Sequence, residues 1–243
     1  MQYSLFFYQS IEPCMIRFIF IISTFSSAFG QVTPNPERFK YDLFGNNLTI
    51  NLFELWDNKN SFPKNSVLFV GSSSIRYWYT SNYFPELPII NRGFGGSHIS
   101  DINYFINETV LKYKPQIIVF YAGDNDISYG KSAQNVLDNY ITFTNLVNKI
   151  FPKTKIIFIS IKPSIKRWYL WIMMRKANEL IRTYSNKKPY LYYLDIATPM
   201  LKDDGSPNDS LFESDSLHLN NKGYDLWVRE LKPLLNDLYE NYQ

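Results

Sequence analysis

The stretch VLFVGSSS, residues 67–74, decides the fold. Four apolar residues come first, followed by Gly71 and three serines. An uninterrupted apolar run of this length that ends at glycine is typical of a strand buried on both faces, as in a parallel sheet. The pattern therefore predicts a buried parallel strand over residues 67–70 and a polar turn directly after it.

The rest of the chain alternates between strand and helix patterns. Further apolar runs predict strands at residues 88–90, 116–121, 155–161 and 190–194. Apolar residues at helical spacing predict helices at residues 133–150, 171–184 and 222–239, and residues 32–60 read as an extended lead-in with one short helix. This alternation predicts an α/β fold, a three-layer α/β/α sandwich whose central sheet has five mostly parallel strands.

The composition excludes several classes of protein. The 243 residues suit one α/β domain, and 45% hydrophobic and 19% charged residues are ordinary for a globular chain. A net charge of +3 without any basic run argues against a nucleic-acid partner. The only cysteine, Cys14, cannot form a disulfide within the chain, and no cysteine or histidine cluster predicts a metal site.

Residues 1–30 have the features of an export signal. Arg17 precedes the apolar stretch 18–22, and the small residues Ala28 and Gly30 are two positions apart, so cleavage before Gln31 is expected. The apolar stretch is too short for a stable membrane span, which needs about 20 residues. We therefore expect a secreted or periplasmic protein; a buried N-terminal strand or helix is the alternative.

Two details refine this expectation. Met15 begins a more typical signal than the first residue does and is a candidate initiator. Cys14 precedes the apolar run, which argues against a lipoprotein anchor. No repeat or linker interrupts the remaining chain, so residues 31–243 are predicted to form a single domain.

Unusual polar and glycine residues follow the predicted strands. They occupy residues 72–74, 93–98 and 123–126, each directly after the carboxyl end of a strand. Ligands of open α/β sheets bind at that edge. The sequence therefore predicts a functional site there.

Four short blocks carry a family resemblance: GSSSI at 71–75, NRGFGG at 91–96, GDND at 123–126 and DSLH at 215–218. In this order and at these strand ends they resemble the SGNH hydrolases, also called GDSL-like lipases and acylhydrolases. The resemblance extends from residue 67 to about residue 233. It implies an α/β fold and a serine-dependent ester hydrolase that needs no cofactor.

The resemblance implies Ser73 as the nucleophile, with Ser72 at the aspartate position of the family's Gly-Asp-Ser pattern. This departure leaves the nucleophile in place and removes the aspartate from the turn. Ser72 and Ser74 remain alternative nucleophiles, and a plain helix N-cap is the non-catalytic interpretation. Ile75 occupies the place of the second glycine in a Gly-x-Ser-x-Gly elbow, so that motif is not matched.

The chain has two histidines, His98 and His218, and a serine nucleophile needs one of them as its base. Asp215 stands three residues before His218, a spacing that lets the carboxylate reach Nδ1 while Nε2 faces the serine. Asp101 stands three residues after His98, so this second pair is an alternative. The non-catalytic interpretation of the first pair is a surface loop before a helix capped by Asn220.

An ester hydrolase must also hold an oxyanion. Glycines at 93, 95 and 96 allow the backbone to approach a ligand closely. The resemblance implies three donors: the backbone N–H groups of Ser73 and Gly96 and the side chain of Asn125. Asp124 and Asp126 have no further acidic neighbours in sequence, so metal binding is not predicted.

The predicted function is hydrolysis of an acetyl or short-acyl ester of a carbohydrate or lipid. Acyl transfer with the same residues and a non-catalytic carbohydrate- or lipid-binding protein are the alternatives, and the oligomeric state stays open. The stretch WYLWIMM, residues 168–174, is predicted to pack as a helix face on the sheet. A lid or a membrane-facing patch is the alternative for this stretch.

Overall fold

Five strands form a single sheet at the centre of the computed structural model, which describes residues 33–40 and 50–242. The strands are β1 (Val67–Gly71), β2 (Ile89–Gly93), β3 (Ile117–Tyr121), β4 (Lys155–Ile159) and β5 (Leu191–Leu194). They lie in the order β2-β1-β3-β4-β5, and every neighbouring pair is parallel. The predicted α/β fold is confirmed, and the sheet is wholly rather than mostly parallel.

Helices connect the strands and cover the sheet. They are α1 (Ile50–Asp57), α2 (Ser73–Arg76), α3 (Thr80–Tyr83), α4 (Ile99–Tyr104), α5 (Ile106–Thr109), α6 (Asp124–Ser128), α7 (Ala133–Ile150), α8 (Trp171–Ser185) and α9 (Asn221–Glu240). Short 3-10 helices occupy Pro36–Phe39, Leu111–Tyr113, Ile165–Leu170, Thr198–Met200 and Asp209–Leu211. The three long helices predicted from periodicity are present with bounds that shift by at most one residue.

Alternate residues of each strand enter two separate apolar cores. Leu68 and Val70 of β1 face the core that α7 and α8 cover. Val67 and Phe69 face the opposite core, which α9 covers with Trp227 and its neighbours. Because successive strand side chains point to opposite faces, a strand buried on both sides must be apolar throughout, as this run is.

Gly71 ends β1 in a backbone conformation that other residues rarely adopt, with φ at 152°. A Cβ atom at this position would stand 1.9 Å from the carbonyl oxygen of Tyr121 in β3. The contact excludes any side chain. Glycine therefore lets β1 and β3 stay paired to their last residues, directly before the serines.

The stretch 168–174 departs from its predicted packing. Tyr169 and Ile172 are 77% and 73% exposed, and Trp168 and Met173 are more than a third exposed. Of the stretch, only Met174 is fully buried. The expectation that this stretch packs on the sheet is therefore wrong for most of its residues, because α8 buries its opposite face, at Ala177 and Ile181.

The predicted export signal at residues 1–30, with Met15 and Gly30, lies outside the described residues. The division of the chain into this signal and one domain stays a prediction. Across residues 33–40 and 50–242, no helix combines the length and apolarity that crossing a bilayer requires.

Candidate active site

Ser73 is the first residue of α2, directly after β1, which lies between β2 and β3 in the sheet. The turn is held by the backbone carbonyl of Ser72, which accepts the N–H groups of Ile75 and Arg76 at 3.0 Å each. Ser72 itself is buried, and its hydroxyl has no hydrogen-bond partner among the described residues. The turn thus forms through main-chain bonds, without the aspartate of the family pattern.

A side chain of β2 also holds this turn. The amide nitrogen of Asn91 donates to the carbonyl oxygens of Ile75 at 2.9 Å and Trp78 at 3.1 Å. Its oxygen accepts the N–H of Gly93 at 2.9 Å. Asn91 of the second sequence block therefore supports the turn of the first block from the neighbouring strand, a role that the sequence does not predict.

The loop before α9 brings Asp215 and His218 to Ser73. Nε2 of His218 lies 3.0 Å from Oγ of Ser73, and Nδ1 lies 2.5 Å from Oδ2 of Asp215. Ser216 adopts a left-handed backbone conformation, with φ at 59°, which turns the loop back on itself. The ring of Tyr77 meets the imidazole edge to face, with centroids 5.1 Å apart. The three residues predicted from the resemblance thus form one continuous contact chain.

The carboxylate of Asp215 is held by more than the imidazole. Its Oδ1 accepts the backbone N–H groups of Leu217 and His218 at 2.9 Å each. Partial burial opposes its ionisation, but these two hydrogen bonds and the contact with His218 outweigh that and lower the pKa of Asp215 to about 2. Asp215 is therefore a carboxylate at any pH at which the protein would work.

The two alternative serines and the alternative histidine lie elsewhere. Ser74 is buried, and its hydroxyl is 3.1 Å from the ammonium of Lys162. His98 is 4% exposed, packs against the ring of Tyr129 and donates its backbone N–H to Asp101 at 2.8 Å. Asp101 therefore caps α4 rather than orienting an imidazole.

Burial, reinforced by the charge of Lys131, lowers the pKa of His98 to about 4. Nδ1 of this histidine has no hydrogen-bond partner among the described residues and lies 3.9 Å from Asp126. A neutral, enclosed imidazole without contact to a described serine hydroxyl cannot act as the base of this site.

The predicted oxyanion donors are the backbone N–H groups of Ser73 and Gly96 and the side chain of Asn125. Gly96 has φ at 76°, and open space surrounds the position that a Cβ would take. Neither its N–H nor that of Ser73 donates to another of the described residues. Both N–H groups are therefore free for a ligand.

Asn125 is fixed by two contacts. Its Nδ2 donates to the carbonyl of Ser97 at 3.1 Å, and its Oδ1 accepts from the guanidinium of Arg167 at 2.9 Å. The second contact determines which end of the carboxamide is the oxygen. One N–H of Nδ2 remains for a ligand, and the cation on Oδ1 makes that N–H a stronger donor.

Next to this carboxamide, three charged residues form a cluster that the sequence does not predict: Asp124, Lys162 and Arg167. Asp124 is buried with Lys162 at 3.3 Å and Arg167 at 3.0 Å. Burial alone would raise the pKa of Asp124, but the two cations outweigh burial and hold it below its usual range. The sequence shows only that Lys162 directly follows an apolar strand run. Its partners lie far away in the chain, so local sequence does not predict these contacts.

A cleft of about 360 Å³ opens beside His218. Its walls are mainly aromatic and include Tyr77, Tyr79, Tyr83 and Tyr224. Asp215 and His218 also line it. The cleft can therefore receive a small group next to the imidazole.

The residues that the structure describes include no group of three or more histidine, cysteine or acidic side chains placed to bind a metal ion. Asp124 and Asp126, the acidic pair of the third block, are engaged instead with Lys162 and with Lys131. Both carboxylates therefore already have cationic partners.

Solved structures share this fold at low sequence identity. A GDSL-like lipase from Bacteroides thetaiotaomicron aligns with a TM-score of 0.67 and 18% identity over 77% of this chain and 97% of that one. A carbohydrate esterase of family 3 from Talaromyces cellulolyticus aligns with a TM-score of 0.62 and 17% identity, over 73% and 99%. An acetyl xylan esterase from Geobacillus stearothermophilus aligns at 0.56 and 16%, over 75% and 97%. No curated protein matches the chain in sequence.

The fold is therefore that of the SGNH-like α/β proteins. Residues 74–226, more than half of the chain, match the model of the GDSL-like lipase/acylhydrolase family. The chain belongs to this family of ester hydrolases, as the resemblance of the four sequence blocks predicts.

Proposed function

We propose that the protein is a serine esterase in which Ser73 is the nucleophile, His218 the base and Asp215 the group that orients the base. The observation that carries the proposal is the unbroken contact chain from Ser73 Oγ through His218 to Asp215, with distances of 3.0 and 2.5 Å. A serine hydroxyl is a weak nucleophile until an imidazole can take its proton. Such a chain supplies that imidazole in the required tautomer.

The reaction proceeds by two acyl transfers. Ser73 Oγ attacks the ester carbonyl while its proton passes to Nε2 of His218, and the tetrahedral intermediate carries the negative charge on the former carbonyl oxygen. His218 then returns the proton to the leaving alcohol, which breaks the ester bond and leaves an acyl-serine. Water, deprotonated by the same nitrogen, attacks this ester and releases the acid and the free serine.

The oxyanion is held by the N–H groups of Ser73 and Gly96 and by Nδ2 of Asn125. Support comes from the two free backbone N–H groups and from the carboxamide that Arg167 holds by its oxygen. One such donor is worth about 3–4 kcal/mol in the transition state. The buried cations behind Asn125 add a positive field on the side where negative charge develops.

The proposed substrate is an acetyl or short-acyl ester of a carbohydrate or lipid. The cleft of about 360 Å³ beside His218 suits a small group, and its tyrosine walls suit an apolar or ring-shaped one. Structural neighbours that are named as acetyl xylan esterase and carbohydrate esterase agree with this choice. Transfer of the acyl group to a sugar would use the same residues.

Export from the cytoplasm is a further part of the proposal and rests on Arg17, the apolar stretch after it and the small residues Ala28 and Gly30. Terminal sequencing of protein recovered outside the cytoplasm tests it. A mature chain that begins at Gln31 is expected. Recovery of the uncleaved chain inside the cell would contradict it.

Hydrolysis of p-nitrophenyl esters with acyl chains of increasing length tests the activity. The wild type is expected to turn over the acetate fastest, and Ser73→Ala is expected to lose at least about a thousandfold in kcat. Ser61→Ala, at an exposed serine between α1 and β1, is the matched control and should match the wild type. A protein that binds acetylated glycans but hydrolyses none of these esters would be a binding protein, contrary to the proposal.

A further inference from the structure

The segment 165–173 exposes an apolar patch beside the proposed active site. The patch is defined by the exposed side chains of Ile165, Trp168, Tyr169, Ile172 and Met173. No other stretch of this length in the described part of the chain exposes as many large apolar side chains. Such a contiguous patch marks an interaction surface more often than isolated exposed residues do.

Local geometry turns the patch outward. Within the 3-10 helix, Arg167 leaves helical geometry, with φ at −115° and ψ at 20°, and the next two side chains, Trp168 and Tyr169, are exposed. The indole of Trp168 stacks on that of Trp171, with centroids 5.8 Å apart and planes inclined by 16°. The helix α8 then buries the opposite face of its first turns, starting at Met174. The patch is therefore a fixed surface feature and not an unfilled part of the core.

The charged side chains within residues 165–176 are all basic, and the first acidic residue after them, Glu179 one turn further along α8, lines a cavity with Trp171 and Arg175. Lys166, Arg175 and Lys176 are exposed and form no ion pair with any other residue that the structure describes. The sequence from residue 165 to residue 178 contains no aspartate or glutamate. Exposed aromatic and aliphatic side chains next to unpaired cations are typical of surfaces that lie in the headgroup region of anionic bilayers.

A glycan surface fits these residues less well. Sugar rings stack on aromatic faces, and the mutual stacking of Trp168 and Trp171 leaves only one face of each indole, besides the ring of Tyr169. Ile165, Ile172 and Met173 offer no such face. Three unpaired cations have no counterpart on a neutral polysaccharide, whereas anionic headgroups neutralise them.

The patch is continuous with the catalytic groups. The backbone N–H of Lys166 donates to the carbonyl of Ser216, next to Asp215, at 3.0 Å. The adjoining Arg167 donates to Asn125 at 2.9 Å. A bilayer that covers the patch would therefore lie close to Ser216 and Asn125, which adjoin the proposed catalytic groups.

We propose that the apolar patch and its three cations dock the protein on an anionic phospholipid surface, so that the active site meets esters held at that surface. Only the second half of this inference rests on the proposed function. Docking itself needs none of the catalytic residues.

Co-sedimentation with vesicles tests the docking. The probes are large vesicles of phosphatidylcholine with 30% phosphatidylglycerol (a chosen composition, on the order of a bacterial anionic content) and vesicles of phosphatidylcholine alone. The wild type is expected to bind the anionic vesicles about tenfold or more tightly than the neutral ones, and to lose most of this preference when salt is raised to about 0.5 M. Absence of binding to anionic vesicles at about 1 mM lipid would overturn the proposal. Binding of the protein to acetylated xylan but not to the vesicles would overturn it as well.

Paired variants locate the surface. Tyr169→Ser with Ile172→Ser is expected to weaken binding to anionic vesicles about tenfold or more, because both side chains are highly exposed and anchor the patch. Leu55→Ser with Ile150→Ser removes two other exposed apolar side chains and should bind like the wild type. Equal losses in both pairs, at unchanged thermal stability, would show unspecific adsorption and overturn the proposal.

The charge requirement has its own pair. Arg175→Gln with Lys176→Gln is expected to remove most of the preference for anionic vesicles, and Lys187→Gln with Lys188→Gln should keep it. Ser73→Ala should bind as the wild type does. If that variant is inactive and still binds the vesicles, docking does not depend on catalysis. A wild-type protein that hydrolyses esters but does not bind the vesicles would refute docking and leave the esterase proposal intact.

Discussion

Replacing Asp215 by asparagine tests how His218 is oriented. Oδ1 of Asp215 accepts the backbone N–H groups of Leu217 and His218 at 2.9 Å each, so that position must remain an acceptor. The new carboxamide keeps its oxygen there and turns its NH2 group toward Nδ1 of His218. Nδ1 must then accept, which moves the ring proton to Nε2, and that nitrogen can no longer take the proton of Ser73.

The size of the loss follows from the contacts. In the productive orientation the carboxamide oxygen faces Nδ1 of His218, and the two backbone hydrogen bonds, of about 1 kcal/mol each, are lost. This orientation is therefore populated roughly 30-fold less than the unproductive one. Losing the negative charge removes a charge-assisted hydrogen bond to the imidazolium, a further loss of about 1.5–3 kcal/mol. The sum of about 3.5–5 kcal/mol predicts a decrease in kcat of about 300- to 5000-fold for Asp215→Asn.

The assay is steady-state hydrolysis of p-nitrophenyl acetate near neutral pH, with thermal unfolding measured on the same samples. Asp203→Asn, at an exposed aspartate, is the control and should stay within about twofold of the wild type. The reasoning is refuted if Asp215→Asn is folded and keeps more than about a tenth of the wild-type kcat.

Three other changes have defined outcomes. Arg167→Met frees the oxygen of Asn125 and removes one charge-assisted hydrogen bond, so kcat should fall about 10- to 100-fold with KM within about threefold; a rise in KM with kcat unchanged would assign Arg167 to substrate binding instead. Burial lowers the pKa of His98 from 6.5 to about 4. As the pH drops from about 6.5 to 4, this histidine is therefore protonated in the unfolded chain but not in the folded one, and the free energy of unfolding falls. Urea unfolding at several pH values should show that the free energy of unfolding of His98→Gln falls by about 3 kcal/mol less than that of the wild type over this range. Equal decreases in both proteins would contradict the claim that His98 causes this pH dependence. Gly71→Ala should yield little folded protein, because its Cβ would stand 1.9 Å from the carbonyl of Tyr121, and normal circular dichroism with an unchanged thermal midpoint would contradict that contact.

Local patterns were sufficient for the sheet. Residues 67–70 and 116–121 are apolar at every position because both faces of β1 and β3 are covered, and this pattern needs no knowledge of the tertiary structure. The end of each strand was less certain: the second strand continues through Asn91 and Arg92 to Gly93. Polar residues are tolerated there because Asn91 holds the α2 turn and Arg92 pairs with Asp57 at 2.6 Å.

The candidate site could be approached from sequence only through the family resemblance. Ser73 and His218 are 145 residues apart, and no periodicity or spacing relates them. The contact of Arg167 with Asn125 spans 42 residues and belongs to no sequence block, so it was not predicted. Contacts of this kind depend on how loops meet above the sheet edge, which local sequence does not determine.

The error at residues 168–174 has a physical cause. An apolar stretch next to a helix has the same pattern whether it packs on a sheet or faces solvent. The kink at Arg167 and the burial of Met174 decide the outcome, and both are properties of the folded chain. Helix periodicity was therefore right about the bounds of α8 and uninformative about which side chains of its first turn, and of the residues just before it, are exposed.

The central claim is that Ser73 is an activated nucleophile. Incubation of the purified protein with a fluorophosphonate, followed by peptide mass mapping, tests it most directly, since such a reagent reacts with a serine that has both a base and an oxyanion site. We predict a single adduct on Ser73 that is lost in His218→Ala. An adduct on Ser74, or no adduct on the folded wild type, would contradict the account.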